Sequence, residues 1–234
     1  MKILALDTAT EACSAALYID GEINAKFQLA PREHTQLILK MIEDLLADAG
    51  LQVGALDAIA FGRGPGSFSG VRIATGVTHG LAFAADLPVV PVSTLASIAQ
   101  STYNQQHTKN VLAGIDARMG GIYWGCYQLA DNGLMQLLGE EQVSPPEAMQ
   151  LPNAQQWVGS GSAWKTYADA LNNQLGSALS SNFEDYLPHS ASIVQLAAYE
   201  FTQGKAVNAA LAQPVYLRND VAKKSAAQKS IKRV

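Results

Sequence analysis

The chain has 234 residues, 48% of them hydrophobic and 15% charged, enough for one large domain or two small ones around a sizeable core. Its net charge of −4 gives no global sign of a nucleic-acid binder. No apolar run reaches the length of a membrane span, because Arg72, His79 and Asp86 interrupt the longest one. From the N-terminus, Lys2 to Asp7 reads as a strand ending in an acid. That acid falls where a signal peptide would continue its apolar region, so a cytoplasmic protein is expected. Ala12 to Ile19 and Glu22 to Leu29 read as two more strands, joined by the hairpin-favouring Asp20-Gly21. A helix comes next, from about Glu33 to Ala49, stopped by Gly50. An apolar strand over 56–61 runs into Gly62-Arg63-Gly64-Pro65-Gly66-Ser67-Phe68-Ser69-Gly70. Then come a helix over 70–85, a short strand from Pro88 to Val92 and a helix over 94–103.

The second half starts in the same way. Val111 to Asp116 is a strand ending in an acid, Gly121 to Leu129 a strand, Asn132-Gly133 a hairpin turn and Leu134 to Gln142 a third strand. Pro145-Pro146, Pro152 and the Ser-rich stretch 177–192 interrupt this copy. A strand from Gln156 to Val158 leads through Gly159-Ser-Gly161 to a helix over 162–171. A last helix covers about Ser190 to Phe201, and Pro214 to Leu217 reads as a final strand. Three antiparallel strands and then alternating helices and parallel strands, repeated once, predict a duplicated α/β protein. This is the topology of the ribonuclease H-like fold, doubled as in the actin-like ATPase superfold, with the second half degenerate. The boundaries are expected at 1–105, 106–217 and a basic tail over 218–234. That tail carries six Lys/Arg and one Asp, a charge of +5, against −9 for the rest of the chain. It is either a frayed terminus or a contact for phosphate backbones. Cys13 and Cys126 lie in alternating strand-like runs and read as packing residues rather than a disulfide or a metal pair.

The glycine string carries the most information. Gly62, Gly64, Pro65, Gly66 and Gly70 at a strand-to-helix junction imply a backbone bent where side chains would clash. The first helical amides could then face an anion or a partner backbone. No lysine comes after the glycines, so this is not a phosphate-cradling P-loop, and the spacing misses the dinucleotide fingerprint.

Ile3 to Thr10, His34-Thr35-Gln36, Gly64 to Arg72, Asp116-Ala117-Arg118 and Pro214 to Arg218 together resemble the TsaB (YeaZ) family nearly end to end. The resemblance implies a non-catalytic partner subunit in making threonylcarbamoyladenosine, the modified base next to the anticodon of tRNA. It implies pairing with the catalytic subunit TsaD, joint work with the small ATPase TsaE, and a homodimer when alone. ATP and a metal are then expected on the partner subunits and no cofactor in this chain. Contact with tRNA is expected indirectly or through the basic tail, and none with a membrane.

The residues leave little chemistry for the chain itself. TsaD-like proteins hold a metal with two histidines on the first long helix; here His34 stands alone, with Leu37 and Ile38 one turn on. Its plain reading is a helix-start residue hydrogen-bonded nearby. Neither H-E-x-x-H nor G-x-S-x-G occurs, so a peptidase is disfavoured. For an actin-like phosphotransferase, Asp7, Thr8 and Thr10 in the first hairpin and Asp116 in the second are the candidate nucleotide contacts. Ala9 stands where close approach of phosphates favours glycine. The alternative for both acids is a capping or turn role.

Association is the remaining reading. On the first helix the apolar positions span about half the circumference, more than packing on one sheet requires. The ridge Ile38, Ile42, Leu46 and Ala49 can face the sheet, while Leu37, Met41 and Leu45 are either spare or covered by a neighbouring helix. Arg72, Gly76, His79 and Phe83 form a ridge on the next helix, with Gly80 adjacent. These seven residues, from Leu37 to Phe83, are the expected partner interface.

Overall fold

The computed structural model describes residues 1–153 and 155–218. Its first sheet holds β1 (Lys2–Asp7), β2 (Ala12–Ile19), β3 (Glu22–Leu29), β4 (Ala58–Gly62) and β5 (Val89–Val92) in the order β3-β2-β1-β4-β5. The first three strands pair antiparallel, while β4 and β5 run parallel to β1. The second sheet repeats this with β6 (Asn110–Asp116), β7 (Ile122–Leu129), β8 (Met135–Ser144), β9 (Trp157–Ser160) and β10 (Leu179–Phe183) in the order β10-β9-β6-β7-β8. The fold is therefore the expected α/β arrangement with a duplicated ribonuclease H-like topology.

Alternation along the strands sorts the core into layers. Leu4, Leu6, Leu17 and Phe61 face α1 (His34–Asp48) and α2 (Phe68–Ala85). Ile3, Ala5 and Ala16 face the opposite side, where α5 (Ser190–Thr202) lies. Helix α3 (Thr94–Gln106) covers Val111, Ala113 and Ile115 of the second sheet, and α4 (Ala163–Leu175) covers Leu112 and Trp157 on its far face. Helix α5 comes from the second half yet packs on the first sheet, and α3 comes from the first half yet packs on the second. Hydroxyls join these two helices and the sheets: Ser14 to Ser190, Ser101 to Ser192 and Thr102 to Ser160, at 2.7–2.8 Å.

Caps place α2 and α3. Ser67 Oγ accepts from Gly70 N and Ser93 Oγ from Leu95 N, each satisfying an amide of the first turn. Helix α2 accordingly starts at Phe68, two residues before the expected position. The Ser-rich stretch hides a real strand, β10, whose Leu179 and Phe183 pair beside β9. Pro214 to Leu217 is not a strand; Pro214 has no amide to donate, and Val215 N makes a single bond to Arg63 O (2.8 Å). Cys13 and Cys126 are buried and free, as expected. Among the described residues no helix is long and apolar enough to cross a membrane.

Candidate functional site

The parallel pairing of β1 with β4 sets Asp7 beside Gly62 and brings the glycine loop against residues 8–10. Asp7 is 0% exposed. One carboxyl oxygen accepts from Ala9 N at 3.0 Å; the other has no partner and occupies the space a side chain at position 62 would need. Burial pushes its pKa up to about 7, and the Ala9 amide offsets part of that. The buried Thr8 hydroxyl donates to Gly70 O (2.7 Å), and Ser67 N donates to Ala9 O (2.7 Å). Buried Thr10 accepts from Ala12 N (3.3 Å). Gly66 and Gly70 lie so close to Ala9 and Thr8 that a Cβ at either would overlap their carbonyls. Gly64 has φ +95° and precedes a cis bond to the buried Pro65. The backbone that the loop faces is thus the chain's own, not the expected partner's or an anion; the Thr8 hydroxyl is spent on Gly70 O and the Thr10 oxygen on Ala12 N.

At the end of β6, Asp116 is enclosed differently. It accepts from Arg118 N (2.8 Å), Arg118 Nη1 (2.9 Å), Tyr167 Oη (3.2 Å) and Thr166 Oγ1 (3.3 Å). Arg218 donates to Ala117 O (3.1 Å) and Arg118 O (3.3 Å), fastening the C-terminal segment to this hairpin. The rest of the expected basic tail, 219–234, lies outside the described residues.

The expected two-helix flank is half corrected. Met41 and Leu45 are 8% and 4% exposed and belong to the core beneath α1 and α2, while Leu37 is half-buried against it. Their ridge is not spare, because α2 packs beside α1 and covers it. Helix α2 does keep an open face. Phe68, Arg72, Gly76 and Phe83 are exposed, with Phe68 at 59% and Phe83 at 61%. At about 100° per residue they share an arc of roughly 80° with His79. A Cβ on Gly76 or Gly80 would meet nothing within 4 Å. Arg72 lies over the Phe68 ring at 3.5 Å and donates through Nε to Tyr216 Oη (2.9 Å). His79 is half-buried, bonded to Ala212 O at 2.7 Å, and meets Phe83 edge-on.

His34 is buried at the start of α1, but its Nε2 has no partner, against the expected hydrogen bond. Among the described residues no three His, Cys, Asp or Glu side chains group as a metal would need.

Sequence reasoning missed a polar cluster between the halves. Glu141 on β8 accepts from Tyr127 Oη (2.6 Å), from the Ser93 hydroxyl and from Arg63 Nη2 (3.4 Å). Burial, then the charge of Glu141, holds the Tyr127 phenol well above its ordinary pKa, so it remains a donor. One signal was available: Glu140 and Glu141 are consecutive in a strand, so one of them must point inward.

The family model for TsaD, tRNA N6-adenosine threonylcarbamoyltransferase, matches residues 27–231. The tRNA threonylcarbamoyladenosine biosynthesis protein TsaB of Escherichia coli is 46% identical over 225 residues, covering 95% of this chain and 96% of that one. The TsaB of Haemophilus influenzae is 42% identical, covering 94% and 95%. The solved structure of YeaZ from Pseudomonas aeruginosa superposes with TM-score 0.87 at 46% identity, covering 92% of this chain and 99% of that one.

Proposed function

Since this chain belongs to the TsaB (YeaZ) family of tRNA threonylcarbamoyladenosine biosynthesis proteins, we propose that it serves as a non-catalytic partner that docks TsaD through the open face of α2. The observation that carries this reading is the exposed stripe Phe68–Arg72–Gly76–Phe83, with empty space above Gly76 and the adjacent Gly80. Small residues let a partner helix approach closely, and flanking aromatics supply apolar area. A pairing of ordinary size buries about 1,600 Å² in total. The internal bonds of Thr8, Thr10 and Asp116 support assigning the chemistry, ATP and metal to partners, TsaD and TsaE, rather than to this chain. A subunit that binds one conformation of its partner more tightly than another shifts that partner's population, and a few kcal/mol suffices.

Co-purification with TsaD, then a tRNA-modification assay with each component omitted in turn, tests the reading. Modification should require both chains. A single polypeptide that modifies tRNA unaided would refute it. The homodimer should use the same face, so TsaD should displace one copy on mixing; a complex holding an intact homodimer would exclude the shared face. The +5 segment 218–234 should add salt-dependent tRNA affinity to the assembly, and deletion of 219–234 should lower it.

A further inference from the structure

The outer strands of the two sheets are β3, β5, β8 and β10, and all but β3 are protected against pairing with another chain. Strand β5 has four residues, carries Pro91 and is bridged by Val207, which exchanges both backbone bonds with Val89 (2.8 Å). Strand β8 is interrupted by a register shift opposite Trp124–Cys126 and by Gly139 at φ +78°, next to Glu140. Strand β10 has five residues and slips register between Leu179 and Ser181. Short length, bulges, proline and charge are the devices that blunt an edge. Strand β3 has eight residues, no proline and an unbroken register with β2. Its one lysine, Lys26, is drawn toward α1, with Asp48 at 3.4 Å and Asp44 at 3.8 Å. Among the described residues nothing pairs with its outer side. We propose that β3 pairs antiparallel with β3 of a second copy of this chain, about a two-fold axis normal to the sheet.

The phase of the β2–β3 ladder shows which groups are free. Ala30 N donates to Glu11 O (2.9 Å), and this pair lies in the register that joins β2 to β3. In an antiparallel pair, bonded and non-bonded positions alternate. The even-numbered residues of β3 therefore bond β2, and the N–H and C=O groups of Ile23, Ala25, Phe27 and Leu29 point to the open edge. The side chains of these four share one face. Ile23 is 38% exposed, Phe27 41% and Leu29 60%. Phe27 is stacked on His189, with ring centroids 4.9 Å apart and planes within 5°, so its ring is held in place beside the edge.

The strand is its own complement, which selects a second copy as the occupant. An axis through Ala25 sets Ile23 opposite Phe27 of the second copy twice over, a pairing of β-branched with aromatic residues that stabilises sheets. On the other face it sets Glu22 opposite Gln28 and Asn24 opposite Lys26, so no like charges meet. An axis through Lys26 would oppose two ammonium groups, and one through Asn24 would leave Phe27 opposite Gly21, outside the strand. In the Ala25 register Ile23, Ala25 and Phe27 exchange about six backbone bonds with the second copy. Eight residues a side is well below the roughly 20–30 of a stable interface, so the Kd should be micromolar or weaker. The edge shares no residue with the α2 stripe, so this contact is separate from the face assigned to TsaD.

Sedimentation velocity of the full chain carrying Phe83→Ala, which weakens the α2 contact, tests the pairing. Reversible dimers should appear as the concentration rises to about 0.3 mM. Ala25→Pro should abolish them, because it removes an outward N–H and no bond to β2, and it should move Tm by less than about 3 °C. Charge at position 24 gives an independent readout, since each copy sets it opposite Lys26 of the other. Asn24→Glu should tighten the dimer about fivefold and Asn24→Lys should loosen it about fivefold. Monomers at every concentration, dimers that survive Ala25→Pro, or two charges that act in the same direction would each overturn the proposal. Loss of TsaD pairing on Ala25→Pro would assign the edge to TsaD and overturn it too. With Phe83 intact, the variants at 24 and 25 should leave TsaD pairing unchanged, which separates failure here from failure of the docking reading.

Discussion

Asp7 and Asp116 hold the same place in two copies of one topology, each closing the central strand of its sheet, yet they live in opposite electrostatic surroundings. Asp7 is sealed under backbone, with one oxygen unbonded and a pKa raised to about 7. Asp116 has a side chain only 8% exposed, but it meets a guanidinium and two hydroxyls. The difference lies in the loops that close over each strand end. Glycines at 62, 66 and 70 let the first half close its own chain over the acid, whereas the second hairpin inserts Arg118 beside it. Duplication preserved the strand order; the loop residues set whether the acid is desolvated or paired.

The largest test of this contrast is steric. A Cβ at Gly70 would overlap the Thr8 carbonyl, which is backbone and cannot swing aside, whereas one at Gly121 meets only the far end of the Arg218 side chain. Gly70→Ala should cost about 3 kcal/mol or more, and Gly121→Ala less than about 1 kcal/mol, read from urea midpoints. Equal costs would mean that the two junctions are not built differently.

The next test is electrostatic. A carboxyl whose pKa is raised in the fold is favoured there only while protonated. Its contribution is fully present below the unfolded value near 3.8 and is lost as pH rises through about 7. The native chain should therefore lose up to a few kcal/mol between pH 4 and pH 8, since a tenfold change in proton affinity is worth about 1.4 kcal/mol. Asp7→Asn should flatten that slope and be relatively more stable at pH 8 than at pH 4. A parallel pH profile for the two proteins would show that Asp7 is not the buried acid described.

A third pair compares the covered and open helix faces. Met41→Ala should cost about 2 kcal/mol of stability. Phe83→Ala should cost less than about 0.5 kcal/mol but weaken pairing with TsaD roughly tenfold, as measured by calorimetry. At the second hairpin, Asp116→Ala should lower stability by only about 1 kcal/mol, because its donors can turn to water. A loss as large as that from Gly70→Ala would reverse the ranking.

The strand ends at Asp7 and Asp116, the Asp20-Gly21 turn and the order of sheets and helices were legible because alternation and turn residues are local signals. The strand β10 was not, since Ser180, Ser181 and Asn182 obscure an edge strand recognisable only from its pairing with β9. The α1 face shows the same limit. Periodicity counted an apolar arc wider than one sheet needs, but could not say that α2 covers Met41 and Leu45. The Arg63–Glu141 contact joins residues 78 apart in the chain, and no spacing announces it.

By itself the amino-acid sequence determined the repeated strand-and-helix pattern and the family, because hydrophobic period, turn chemistry and the glycine string are written in consecutive residues. Only the tertiary structure decided which apolar ridge stays open, which acid loses its water and where a polar cluster joins the halves. Those outcomes depend on distances between residues far apart in the chain, and burial is set by whatever neighbour the fold brings alongside.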